Sequence, residues 1–257
     1  MKKKRKLVNT NPLLKQERLQ VYDSALAHKE VMTVNSTLKK SLCALLVTLL
    51  SATYIWFNYD MKESLEALNR ISSLCFISIL GLFFAVSVKP LWAKYLIFPY
   101  AILKGVLLSL LSKLVDSVLP GLAFQAFLGT CIVFITVAFI SANEAIKVDD
   151  HMRKRLGIAL IALVVLQSIN FFLWIIGVYS PVNIINGNSF IGILFSLFVI
   201  VLASFCLLAD MDSIKQGAKN RYAKAIEWYC AMSLLATVLW IYVEILRLLA
   251  KLNSKRR

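Results

Sequence analysis

The sequence predicts an all-α, polytopic membrane protein built as a seven-transmembrane-helix bundle. Of its 257 residues, 59% are apolar and 17% are charged, whereas soluble domains carry about 45–50% apolar and about 25% charged residues. The apolar residues collect in seven runs, and none alternates with the period of a barrel strand. Helices are therefore expected, because they satisfy every backbone polar group internally.

Seven stretches approach the roughly 20 apolar residues that a membrane-spanning helix needs. The first two are short, so their helices are expected to extend a few residues further. The stretches are 41–57, 71–88, 95–113, 121–141, 156–178, 190–209 and 228–250. They define a domain over 41–250, preceded by a basic cytosolic tail over 1–40 and followed by a short basic tail over 251–257.

The net charge of +15 is interpreted as a topology signal. With the N-terminus in the cytosol, twenty of the 29 lysines and arginines fall on the inner side and seven on the outer side. The basic residues lie between apolar runs, so a nucleic-acid partner is not expected. The four bases of the C-terminal tail would then face outward, which leaves open a re-entrant seventh element in place of a full span.

No enzymatic site is expected, because the sequence contains none of the common catalytic or nucleotide-binding motifs. The five cysteines lie in apolar stretches without metal-ligand spacing, and His28 and His151 are isolated in polar segments. No cofactor is predicted, and the metal prediction goes no further than Asp210 as a calcium candidate.

Ionisable groups at membrane depth are functional candidates, because burying a charge there is costly. Lys104 lies in the middle of the third stretch. It could line an internal cavity or form an ion pair that locks two helices. Gly105 and Ser109 beside it form a pair of small residues that allows close helix approach. Helical rise, together with the reach of a lysine side chain, favours Asp210 over Glu244 as the partner of Lys104.

Asp210 and Asp212 close the sixth stretch and lie about 200° apart around a helix. Asp210 is expected to point into the bundle, with a solvated helix end as the alternative, and Asp212 to meet cytosolic water. In the seventh stretch Glu244 and Arg247 have the spacing of a local ion pair. Thr237, Trp240 and Glu244 share a helix face that could be a lumen wall or a helix interface.

The C-terminal third carries a distinctive set of residues: Asp210, Glu227, Trp228, Tyr229, Thr237, Trp240, Tyr242, Glu244 and Arg247. With these residues the chain resembles the Bax inhibitor-1/YccA-like membrane protein family, in its bacterial branch with a long N-terminal tail. The resemblance covers most of residues 8–251 and is most specific over 203–251.

The family implies a seven-helix protein without an enzymatic site, with several members linked to passive calcium leak gated by pH. The proposed gate is a pair of aspartates on the sixth and seventh helices, and close carboxyl groups share protons. Here the second aspartate maps to Thr237, and Lys104 replaces an acid on the third helix. A cation there should repel calcium or restrain Asp210 electrostatically.

The sequence therefore predicts a pH-sensitive calcium leak channel with an altered or weakened ion pathway. Candidate pathway residues are Asp210, Lys104, Glu244 and Thr237. Asp212, Arg247, Trp240 and Glu227 are their supporting residues. The alternative is a non-conducting regulator of membrane proteins or stress tolerance that acts by contact. Expected partners are the lipid bilayer, calcium ions or protons, and other membrane proteins. The branch resemblance implies a bacterial cytoplasmic (inner) membrane with the N-terminus in the cytosol.

Overall fold

The computed structural model describes residues 31–59, 65–146, 148–175 and 189–254, and these are almost entirely helical. A 3-10 turn over Pro90–Trp92 leads into the third helix. The helices are α1 (Val34–Asn58), α2 (Leu65–Val88), α3 (Ala93–Val118), α4 (Leu122–Ala142), α5 (Asp150–Ile175), α6 (Phe190–Lys219) and α7 (Ile226–Ser254).

Six of these helices are long and apolar enough to cross a membrane, which confirms an all-helical membrane protein. The helix outside this set is α5, which contains the predicted fifth stretch up to Ile175. The end of that stretch, over 176–178, lies outside the described residues. The same holds for residues 1–30 of the predicted N-terminal tail and for 255–257 of the C-terminal tail.

The helices extend beyond the apolar stretches, most of all at α6. The predicted sixth stretch ends at 209, whereas α6 continues to Lys219. Likewise α1 begins at Val34, so the last seven residues of the predicted tail are helical. The difference arises because hydropathy marks where the apolar surface ends, while the helix continues through residues that still favour it. Asp210 is consequently about nine residues, or roughly 14 Å, inside the end of its helix.

Helix α7 forms the centre of the bundle. It packs against α1, α3, α4 and α6, and buried residues occur along it from Ile226 to Lys251. It is a single 29-residue helix, about 43 Å long. The alternative of a hairpin or re-entrant seventh element is therefore wrong, because such an element needs a break that this helix does not have.

Helix α3 approaches α1 closely at Gly105. A Cβ built on this glycine would collide with the carbonyl oxygen of Thr48 and would lie 2.9 Å from the Cβ of Ser51. The Ser51 hydroxyl donates to the carbonyl oxygen of Ile102 at 2.9 Å. The predicted role of Gly105 in close helix packing is confirmed, with α1 as the partner.

Candidate functional site

Asp210 is a buried carboxyl group held between α6 and α7. Only 3% of the residue is exposed. The Thr237 hydroxyl donates to its Oδ2 at 2.6 Å, and the Ser233 hydroxyl donates to its Oδ1 at 3.2 Å. The predicted inward orientation of Asp210 is confirmed, and the solvated helix end is excluded. Thr237 lies on the interface between α6 and α7 and donates its hydroxyl to Asp210 across it.

Asp212 faces another direction, as the predicted 200° separation requires. It pairs with the guanidinium of Arg153 on α5 and accepts from the side-chain amide of Gln216 at 2.8 Å. Arg153 is fully buried and also donates to the Ser213 hydroxyl at 2.9 Å. The expectation that Asp212 meets water omitted this pair: its side chain is 26% exposed, but it also neutralises a buried guanidinium.

Lys104 and Asp210 do not pair, so the predicted partnership is wrong. Within the described part of the chain, the recorded contact of the Lys104 ammonium is the Tyr100 ring, with 5.6 Å to its centroid. The cause is the helix arrangement: α3 packs chiefly on α1, α2 and α7, and α7 separates it from α6. The Asp210 oxygens are meanwhile occupied by hydroxyls of α7. Lys104 is thus a half-buried cation that contacts the face of an aromatic ring.

Glu244 and Arg247 form the predicted local ion pair. Arg247 donates to both carboxylate oxygens of Glu244, at 3.0 and 3.2 Å. The indole N–H of Trp240 donates to the same carboxylate at 3.2 Å. Glu244 is 5% exposed, so these two donors satisfy it within its own helix. This group lies apart from Asp210, seven residues beyond Thr237 along α7.

Glu227 joins the start of α1 to the start of α7 through three hydrogen bonds. It is fully buried. Its carboxylate accepts from the Thr33 backbone N–H at 2.9 Å, the Ser36 hydroxyl at 2.7 Å and the Lys40 ammonium at 2.5 Å. Lys40 also lies over the Trp228 ring, 4.6 Å from its centroid. The carboxylate therefore lies where the N-termini of α1 and α7 meet.

Several of these partners were not among the predicted site residues. Ser233 could have been found, because it precedes Thr237 by one helical turn and therefore shares its face. In the sequence, Arg153 and Lys40 stand only among the basic residues that indicate orientation in the membrane. Nothing in a single sequence distinguishes them from the solvated bases around them, since their partners lie 59 and 187 residues away.

Two cavities are described, and Asp210 lines neither. One of about 710 Å³ lies between α1 and α4 and is largely apolar. The other, about 470 Å³, lies near the end of α6 and is lined partly by Asp212, Lys215 and Glu144. Among the described residues, no three side chains of His, Cys, Asp or Glu are grouped to hold a metal ion.

Comparison of the sequence with models of known protein families shows which family the chain belongs to. The model of the family described as Bax inhibitor 1 like matches residues 11–254. No curated protein matches the chain. The matched range includes all seven helices, the Asp210 contact and the Glu227 cluster. This chain therefore belongs to the Bax inhibitor 1-like family.

Proposed function

We propose that this chain is a seven-span cytoplasmic-membrane protein whose bundle carries a weakened, pH-sensitive calcium leak pathway. The observation that carries the proposal is Asp210, a buried carboxyl group held by the hydroxyls of Ser233 and Thr237 across the α6–α7 interface. Hydrogen bonds to a charged carboxylate are stronger than those to a neutral group. Protonation of Asp210 therefore loosens α6 from α7 and opens the pathway.

The contact between the start of α1 and the connection from α6 to α7 supports the count of seven spans. The Met32 N–H donates to the Tyr222 carbonyl oxygen at 2.8 Å, so the start of α1 lies beside the α6–α7 connection. If these two parts of the chain lie on the same side of the membrane, an even number of crossings must separate them. Five crossings are supplied by candidate spans, namely α1, α2, α3, α4 and α6. The sixth crossing must then be α5. Its first turns pair with the end of α6 through Arg153 and Asp212.

The orientation can be tested with single cysteines at two exposed positions. Asn220→Cys follows α6 and is expected on the inner side, whereas Ser254→Cys ends α7 and is expected outside. A membrane-impermeant maleimide should label Ser254→Cys in intact bacterial cells and Asn220→Cys only after permeabilisation. The unmodified chain gives the background of its five native cysteines. Labelling of both positions from one side would contradict the proposed topology.

Lys104 is the feature that weakens this pathway for cations. It is a mid-membrane cation with no carboxylate partner recorded among the described residues. A fixed positive charge beside a membrane pathway raises the barrier to cations. This chain should accordingly leak calcium more slowly than a protein with an acid at this position.

Calcium entry into dye-loaded proteoliposomes tests this role. Lys104→Glu should raise the rate by about tenfold or more, the scale on which local charge changes ion concentration. Lys104→Gln should give an intermediate rate, and Lys94→Gln, which neutralises an exposed lysine near the start of the same helix, serves as the control. Equal leak in the unmodified chain and Lys104→Glu would contradict the role of Lys104.

The second candidate is a non-conducting regulator that acts by contact with other membrane proteins. It is favoured by the absence of Asp210 from the lining of both described cavities. If no variant leaks above protein-free vesicles at any pH, this candidate replaces the first.

A further inference from the structure

The larger of the two cavities described above is a groove between α1 and α4. These two helices do not pack directly against each other; α3 and α7 form the floor between them. The groove has a volume of about 710 Å³, within the 300–1,000 Å³ range typical of small-molecule sites. Its walls include Leu46, Leu49 and Phe127. This groove is separate from Asp210 and plays no part in the proposed ion pathway.

The groove is long enough to hold an acyl chain from one leaflet of the bilayer. Along α1 its lining runs from Leu42 to Phe57, a helical rise of roughly 22 Å. One leaflet contributes about half of a hydrocarbon core that is about 30 Å thick. The wall residues Leu46, Phe57 and Phe124 are exposed by 59, 80 and 65%. An acyl chain lying in the groove would cover this apolar surface without leaving the bilayer.

The end of the groove carries a positive charge. Trp56 lines the groove in the last turn of α1, and the Lys113 ammonium lies 5.8 Å from the centroid of its ring. The same ammonium donates to the Tyr59 carbonyl oxygen. The acid one turn further on, Asp116, accepts from the Gly121 N–H at 2.7 Å. A tryptophan beside a lysine is typical of the membrane interface, where lipid phosphates lie.

We infer that the groove between α1 and α4 is a binding site for one phospholipid. Its acyl chain lies between the two helices, and its phosphate meets Lys113 at the end marked by Trp56. The proposed occupant is a lipid, because the lining is largely apolar and Lys113, beside the lining residue Trp56, offers a positive charge to a phosphate at the interfacial end.

Photo-crosslinking in vesicles tests the site. The full chain is reconstituted in phosphatidylethanolamine and phosphatidylglycerol that includes a phosphatidylglycerol with a diazirine on its acyl chain. Crosslinked peptides are then mapped by mass spectrometry. Adducts should concentrate on groove residues of α1 and α4, with at least about threefold fewer on equally exposed α5 residues such as Ile158, which is 68% exposed. An even distribution over all lipid-facing helices would overturn the proposal.

Two variants and one control examine the two ends of the lipid. Leu49→Trp fills the groove and should lower the adduct yield at least threefold, whereas Ile158→Trp on α5 should leave it unchanged. Lys113→Gln should reduce co-purified phosphatidylglycerol while adducts with a phosphate-free diazirine alkane stay constant. Unchanged yield in Leu49→Trp or unchanged retention in Lys113→Gln would overturn the site. Crosslinks from the groove to a second copy of the chain would also overturn it.

Discussion

Replacing Glu227 by alanine is expected to destabilise the protein by about 3–5 kcal/mol, the usual cost of removing one partner from a buried ion pair. The carboxylate accepts three hydrogen bonds, from Thr33, Ser36 and Lys40. Its loss would leave the Lys40 ammonium and the Thr33 N–H without this acceptor. The contact between the starts of α1 and α7 would be lost with it.

Thermal unfolding in detergent, followed by tryptophan fluorescence or by loss of the monodisperse peak, measures this effect. The matched control is Glu144→Gln, because Glu144 is an exposed acid at the end of α4. Glu227→Gln keeps the shape but removes the charge and should fall between the alanine variant and the unmodified chain. A midpoint for Glu227→Ala within a degree or two of the control would show that the cluster contributes no stability.

Gly105→Ala should lower stability by about 3 kcal/mol, near the upper end of the cost of overpacking a well-packed interior. The added methyl group would meet the Thr48 carbonyl oxygen and the Ser51 Cβ. Because one obstacle is helix backbone, a side-chain rotation cannot relieve the contact, and α1 must move away from α3.

A glycine elsewhere in the bundle gives a direct control for this substitution. A Cβ on Gly81 in α2 meets no atom within 4 Å. Gly81→Ala should therefore be neutral or should stabilise by up to about 1 kcal/mol through its higher helix propensity. The same unfolding measurement applies to both variants. Equal midpoints for the two alanine variants would mean that α1 and α3 are less closely packed than the structure indicates.

The main features of the fold could be predicted from the sequence, because each helix that spans a membrane needs a long run of apolar residues. Long apolar runs predicted the helices, and small residues at 105 and 109 predicted a close helix approach. An extension of α1 is expected from the shortness of its apolar run, but the longer extension of α6 could not be predicted in the same way. Both helices continue into polar residues that remain helical, so the apolar run and the helix have different lengths.

The interior polar contacts were predictable only where they are local. Glu244 and Arg247 lie one turn apart, and spacing alone gives their pairing. The placement of Lys104 over Tyr100, and not beside Asp210, depends on α7 standing between α3 and α6. The depth of a residue along the membrane normal can be estimated from the sequence, but the order of the helices around the bundle cannot.

The central claim is that Asp210 is the proton-sensitive contact that closes the bundle between α6 and α7. The most direct test is calcium entry into proteoliposomes measured from pH 8 to pH 5, for the unmodified chain, Asp210→Asn and Glu144→Gln. The account predicts that leak through the unmodified chain rises as the pH falls, because protonation weakens the hydrogen bonds to the carboxylate. Glu144→Gln should follow the same curve, whereas Asp210→Asn should leak at a rate independent of pH. The same pH dependence in Asp210→Asn as in the unmodified chain would contradict the account.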